Sequence, residues 1–348
     1  MVVQMNKEHF THHPTVPMDV RGRSVSEITH AMTETGFQGR KLGESVEVWV
    51  RMLQEAEVTI MMGLSGAMVP AGMRGIITFL IQHRLIDCLV STGANIFHDI
   101  HESLDRKHYV GTHMADDETL FRHGIDRIHD VFAVEEEFRE SDRLIGDFGA
   151  SLEKGRNYSS REFISLLGAR LKEMGARSDS IIVSAYEHNV PIFVPALTDS
   201  SIGIGLVYAR RRGHEIMVDQ IKDADEITRI VEQSTKTGVV YVGGGVPKNF
   251  IQQTEVIASL MGGDVGGHNY AIQYTTDAPH WGGLSGCTFD EAVSWGKVAG
   301  DARKVQVFVD ATIALPIVAH ALRERMEGVV RGGPVFDWGE DGVKVWYE

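Results

Sequence analysis

The sequence predicts an α/β protein built on a doubly wound, mostly parallel sheet. Three observations predict it. Apolar runs of strand length alternate with helical stretches along most of the chain, which implies parallel pairing with helices on both sheet faces. Each run ends in Gly, Thr, Asp or Pro before the next helix begins. No Pro/Ser-rich linker, short repeat or low-complexity tract interrupts the pattern. One domain over residues 36–348 is expected, behind an N-terminal arm of residues 1–35 rich in His, Pro and polar side chains.

The elements follow in order. GESVEVWVRMLQEAE places Val46, Trp49, Val50 and Leu53 on one helical face. VTIMMGLSG reads as a buried strand entering a glycine turn, and PAGMRGIITFLIQHR opens with a proline suited to a first helical turn. IDCLVSTGAN is a second strand ending in small residues. Residues 116–148 are charged and read as largely helical. Ser160 can cap a helix that turns Phe163, Leu166, Leu167 and Leu171 inward. VPIFVPALTDSSIG, TGVVYVGGGVPKNF, NYAIQYTTDAP and KVQVFVDATIALP repeat the strand-to-helix plan.

Composition narrows the function. The 348 residues are 43% hydrophobic and 24% charged, with a net charge of −14, which lacks the basic footprint of nucleic-acid binding. Only Cys88 and Cys287 are present, so a reducing, cytoplasmic setting fits and no disulfide framework is implied. Residues 1–30 lack the apolar core of a signal peptide, and no stretch reaches the length of a membrane span.

Ligands of such sheets bind beyond the carboxyl ends of the strands. Those ends read SGAMVP, STGAN, ALTDSS, GGGVPKN, YTTDAP and VDAT, small and polar as phosphates and ribose require. GGGVPKN is neither GxGxxG nor a Walker loop. Asp199 and Asp310 each follow an apolar strand, where a carboxylate can accept ribose hydroxyls or cap a helix. In HDIHE, His98 and His101 share a helical face, which serves a metal less well than a polar face or substrate contact; no metal is expected. His12 and His13 belong to the solvated arm. GLSGC lacks the nucleophile-elbow frame, which argues against a serine hydrolase. In DEAVSWGK, Lys297 stands behind Trp295 and Gly296. An aromatic wall would desolvate the amine and free it as a nucleophile; a lysine snorkelling past a core tryptophan is the plainer account.

GFQGRKLGESV, FLIQHRLIDCLVSTGAN, PIFVPALTDSSIG, GGGVPKN and above all DEAVSWGK resemble the deoxyhypusine synthase family, including its homospermidine synthase-type branch. The resemblance runs from about Gly36 to the helix after Asp310. It implies a Rossmann-like homotetramer that binds NAD at subunit interfaces, with no membrane partner. It also implies a reaction. Spermidine is oxidised to an imine, its aminobutyl group passes to an enzyme lysine with loss of 1,3-diaminopropane, and then to an acceptor amine. Lys297 matches the imine-forming lysine, and Glu291 and Trp295 its substrate-binding neighbours. Thr92, Gly93, Ala94, Asp199, Thr276, Asp310 and Ala311 match NAD contacts. Gly244 matches a spermidine-side contact, and Asn249 and His98 stand at substrate-side positions.

Departures from the family pattern bear on the substrate. Phe97 and His98 replace two glutamates, Ile204 and Leu284 replace aspartates, Asn249 replaces a histidine, and GAMVP replaces a more polar run. A buried ammonium without a carboxylate is costly, so Asp99, Glu102 or Asp277 takes over or the amine differs. The expectation is homospermidine synthesis with putrescine as acceptor. The alternatives are deoxyhypusine synthesis on a translation-factor lysine and a catalytically silent NAD/polyamine-binding protein.

Overall fold

Six of the apolar runs become the strands of one sheet: β1 (Val58–Leu64), β2 (Cys88–Ser91), β3 (Ile192–Phe193), β4 (Lys236–Val242), β5 (His268–Thr275) and β6 (Val298–Phe308). A computed structural model describes Lys7, Thr11 and residues 13–263, 265–339 and 342–348. Every pairing in the sheet is parallel, and the spatial order is β3-β2-β1-β4-β5-β6. The order reverses between β1 and β4, which opens a crevice beyond Leu64 and Val242.

Side-chain alternation along β1 explains the helices on both faces. Ile60, Met62 and Leu64 join one buried cluster, while Met61 joins the other with Cys88 and Val90. The helix Phe37–Gln54 covers the first face and buries Val46, Trp49, Val50 and Leu53, as its spacing predicts. Trp49 satisfies its indole N–H on the Leu85 carbonyl at 3.2 Å. No helix among the described residues is long and apolar enough to cross a membrane.

Several expectations change. Pro70 does open a helical turn, but Gly72 at φ 84° kinks the chain before the α-helix Arg74–Gln82 starts. The charged segment 116–148 is only partly helical. A short helix, Asp117–Arg122, precedes the antiparallel strands Ile125–Ile128 and Val131–Val134, and the helix Glu135–Ser151 follows. The cap of the helix Ser160–Glu173 is Ser159, whose hydroxyl accepts from Glu162 N at 3.1 Å; Ser160 instead accepts from Val194 N. Leu166 faces outward, and Ile164 takes the inward place. Within the expected arm, Val25–Met32 form a helix with a Ser24–Glu27 capping box. The backbone N–H groups of Val25 and Ser26 donate to Glu324, so this stretch is docked rather than free. His13 is exposed beside Glu34, and His12 lies outside the described residues.

Candidate active site

The strand ends hold two separate groups of the expected residues. The first surrounds β2 and β3. Thr92 caps the helix Gly93–Ser103, and its hydroxyl donates to the Gly66 carbonyl at 2.7 Å. Asn95 accepts from Met68 N at 2.7 Å and donates to Thr92 Oγ1 at 2.9 Å, so it ties the β1 loop to this helix. Gly93 is the one residue type that fits its place. A Cβ there would lie 2.3 Å from Ser200 Oγ and 2.6 Å from Ser200 Cβ. That close approach brings Ala94 and exposed Asp199 to one edge of the crevice.

The second group is built on the glycine turn after β4. Gly243 adopts φ 74°, and a Cβ on Gly244 would stand 2.4 Å from Ser285 Cα. Gly245 N donates to Ser285 Oγ at 3.1 Å, which seats the 284–287 loop on the turn. Beneath it, fully buried Gln273 donates to Gly243 O and Ser285 O, both at 2.8 Å. Its Oε1 accepts from Gln306 and from Lys248 Nζ, at 2.8 and 3.0 Å. Lys248 also donates to Cys287 O at 2.8 Å. Burial lowers the Lys248 pKa to about 8, and the Lys297 charge adds to that while Cys287 and Glu291 oppose it.

Lys297 sits one residue before β6, and its carbonyl accepts from His268 N at the start of β5. Its Nζ lies 3.4 Å from Asn249 Oδ1, in the second turn of the helix Gly245–Leu260. The Trp295 ring is 5.2 Å from Nζ. Trp295 is 64% exposed, however, and Lys297 is half-buried, so the chain by itself does not desolvate this amine. The desolvated lysine is Lys248. Glu291 is exposed on the short helix Phe289–Ser294, and the Cys287 thiol donates to the Thr288 carbonyl just before that helix. Burial raises the Cys287 pKa, with Lys248 opposing and Glu291 adding to it.

Asp310 resolves one open alternative. It caps the helix Ala311–Arg325 and accepts from Thr312 N and Oγ1 at 2.8 and 2.6 Å, which holds its carboxyl below the usual range. It remains exposed, as does Thr276 after β5, while Ala311 is half-buried. Gln273, Gln306, Ser285, Ser65 and Asn95 were missed in the sequence. The glutamines left a signal: each interrupts an apolar strand, and they are register partners on β5 and β6.

The family description "DS: Deoxyhypusine synthase" matches residues 27–322. The chain belongs to the deoxyhypusine synthase family. It is therefore an NAD-dependent aminobutyltransferase by family. Over 99% of both chains it is 69% identical to "Probable deoxyhypusine synthase 2" of Methanosarcina mazei. It is 38% identical to "Deoxyhypusine synthase-like protein" of Chlorobaculum parvum, over 90% of this chain and 91% of that one. A crystal structure of a putative deoxyhypusine synthase from Entamoeba histolytica shares the fold at TM-score 0.60 and 18% identity, covering 89% of this chain and 96% of that chain.

Asp99, expected as one carboxylate for an amine, is not free to serve as one. That carboxylate is fully buried and accepts from Arg74 Nε, Ser180 Oγ and the backbone N–H of Ile181 and Ile182, at 2.8 to 2.9 Å. Glu102 is engaged by His108 and Arg74. Asp277 is exposed. Phe97 is buried against Phe138, whereas Ile204 and Leu284 are exposed. His98 is 7% exposed, and burial followed by the charges of His108 and His101 lowers its pKa to about 3. His98 thus stands on the helix after β2, four strand spacings across the sheet from β6. The described residues contain no group of three or more side chains able to hold a metal.

Proposed function

We propose that the protein transfers the aminobutyl group of spermidine through an imine on Lys297 to putrescine, giving homospermidine. The observation that carries this reading is the contrast between the two lysines. Lys248 is consumed by three carbonyl oxygens (Gln273, Leu284 and Cys287), while Lys297 has one long contact to a neutral amide and reaches solvent. Only the second is free to react. NAD, when bound, supplies a hydride acceptor for amine oxidation and returns the hydride at the end, so the cycle has no net redox change.

The residues present fit that cofactor. The crevice at the switch point carries Gly66, Gly243 and Gly244 with Ser65 and Thr92, so backbone and hydroxyl groups can approach phosphates. Thr92, Gly93, Ala94, Asp199, Thr276, Asp310 and Ala311 are the proposed contacts. The chain's own chemistry is then simple. The Lys297 amine adds to the aminobutyl imine carbon, and 1,3-diaminopropane leaves with the nitrogen it brought. Glu291 holds an incoming ammonium, Asn249 orients Nζ, Trp295 and Gly244 bound the amine path, and the acceptor amine then displaces Lys297 from the carbon. Sites assembled between the subunits of a homotetramer in the cytoplasm complete the proposal.

The relatives' names favour a second reading, with a translation-factor lysine as the acceptor. The test is to incubate the protein with NAD and spermidine, add putrescine or the protein acceptor, and identify products by mass. Homospermidine without modified protein supports the proposal, and modified protein alone supports the second reading. No diaminopropane from any amine mixture leaves only silent NAD and polyamine binding. Lys297→Ala and Lys297→Arg should both lose transfer, because arginine keeps the charge but is no amine nucleophile. Full activity in Lys297→Arg would show that the wrong lysine is named.

A further inference from the structure

Two glutamines stand side by side beneath the glycine turn. Gln273 on β5 and Gln306 on β6 are register partners in the parallel sheet. Between them they hold the turn, the 284–287 loop and the start of the helix Phe289–Ser294. Gln306 Nε2 donates to Gln273 Oε1 at 2.8 Å and to the Cys287 carbonyl at 3.1 Å, and its Oε1 accepts from Phe289 N at 3.3 Å. One amide therefore grips the chain on both sides of Thr288, the residue that caps the helix.

The donors and acceptors fix both amides. Gln273 gives both N–H groups to carbonyls, those of Gly243 and Ser285, and its oxygen accepts from Gln306 and Lys248. Turning that amide over would aim N–H groups at two other donors, so only one orientation is satisfied. Gln306 follows, because its Nε2 meets the Gln273 oxygen and its Oε1 meets Phe289 N. A carboxylate or an ammonium offers acceptors or donors alone, whereas a primary amide holds a carbonyl and an N–H together.

The helix has few other ties. It is six residues long and buries only Phe289 and Ala292. The ion pair of Asp290 with Lys304, at 2.7 Å, lies at the surface with the Asp290 side chain 86% exposed, where such a pair contributes little. At the far end Lys297 N donates to Ala292 O at 3.1 Å, and the Lys297 carbonyl accepts from His268 N of β5 at 3.2 Å. Residues 288–297 thus form a short bridge, anchored to β5 at its end and to Gln306 at its start. Glu291 and Trp295 are carried on it.

We infer that Gln306, oriented by Gln273, is a positioning residue that sets where this helix begins and so holds the Glu291 carboxylate at a fixed offset from Lys297. The inference rests on the polyamine reading above, in which Glu291 holds an ammonium.

A double-mutant cycle tests it. Calorimetry reads spermidine affinity on NADH-loaded protein, which cannot oxidise the amine. Gln306→Met and Glu291→Gln should each weaken binding about tenfold, the scale of one charge-assisted hydrogen bond. Because Gln306 acts through Glu291, the double variant should also be about tenfold weaker rather than about a hundredfold, with NADH affinity within about twofold throughout. Gln306→Asn, too short to reach Cys287 and Phe289 together, is the milder second variant should Gln306→Met not fold, and the same non-additivity is expected of it. In steady-state assays of diaminopropane release, the loss should appear in the KM of spermidine more than in kcat. Losses that multiply to about a hundredfold would overturn the inference. So would a folded Gln306 or Glu291 variant with wild-type affinity, or wild-type protein that does not bind spermidine. Wild-type protein that binds spermidine but makes no homospermidine from putrescine would sink the homospermidine reading instead, and the binding cycle would still decide the role of Gln306.

Discussion

His101 and Lys248 show what burial does to single charged groups in this protein. His101 is fully buried, and desolvation, with the His108 charge adding, lowers its pKa to about 4. The unfolded chain takes up that proton near pH 6.5, while the folded chain does not until about pH 4. More protons are bound to the unfolded state in that window, so stability falls as the pH drops through it. Between pH 6.5 and 5 this histidine should cost about 2 kcal/mol, and His101→Phe should flatten that slope in denaturant titrations at the two pH values. Equal slopes in both proteins would contradict the assignment. Lys248 contributes differently. Replacing it by Met removes one of the two donors at the carbonyl oxygens of Gln273 and Cys287, each of which keeps Gln306 Nε2, and the urea midpoint should fall by the equivalent of about 1–2 kcal/mol. The sequence marked Lys297 as the reactive lysine through its neighbours, and the structure leaves it accessible. It did not mark Lys248 as the desolvated one, because that depends on carbonyls contributed by residues 284–287, which are remote along the chain.

At the scale of elements, the glycines separate tight contacts from open ones. A methyl on Gly244 would meet Ser285 Cα, which is backbone and cannot rotate aside. Gly244→Ala should therefore lower stability by about 1–3 kcal/mol, the usual overpacking range, and should loosen the 284–287 loop. Gly75, in the first turn of the helix Arg74–Gln82, has open space where a Cβ would stand, with no atom within 4 Å, and its φ is not positive. Gly75→Ala should raise stability by about 0.4–1 kcal/mol through the unfolded state. Thermal unfolding of the two variants would separate the cases, and shifts of the same sign would refute the argument. The long strands were legible because buried parallel strands are largely apolar on both faces, and β1 is buried throughout. The antiparallel strands between Tyr109 and Val134 were not legible. They are short and only half-buried, so charged side chains sit on them as readily as on a helix. Ser159 and Ser160 show the same limit at one residue's resolution, since both can cap and only tertiary contact with Val194 decides between them.

At the scale of the whole molecule, the sheet order separates the proposed site into halves. Asp199 follows β3 at one edge, and Lys297 precedes β6 at the other. Five strand spacings lie between those edges, about 24 Å, which is too far for both side chains to serve one reacting centre within a protomer. The exposed apolar side chains add to the argument. Trp281 and Trp295, shortly before Lys297 in the chain, and Ile204, shortly after Asp199, are each more than half exposed, and such side chains mark contact surfaces when they cluster. Contacts drawn from two protomers would pair the Asp199 half of one with the Lys297 half of its neighbour. Asp199→Ala and Lys297→Ala should each be inactive or nearly so when pure. Mixed under conditions that exchange subunits, they should regain activity, because half of the shared sites in a mixed pair carry both native residues. Random pairing puts about half of the protein in mixed pairs, so recovery should approach about a quarter of the wild-type rate. A mixture that stays inactive after verified subunit exchange would place both residues in the same protomer's site, or remove Asp199 from the reaction.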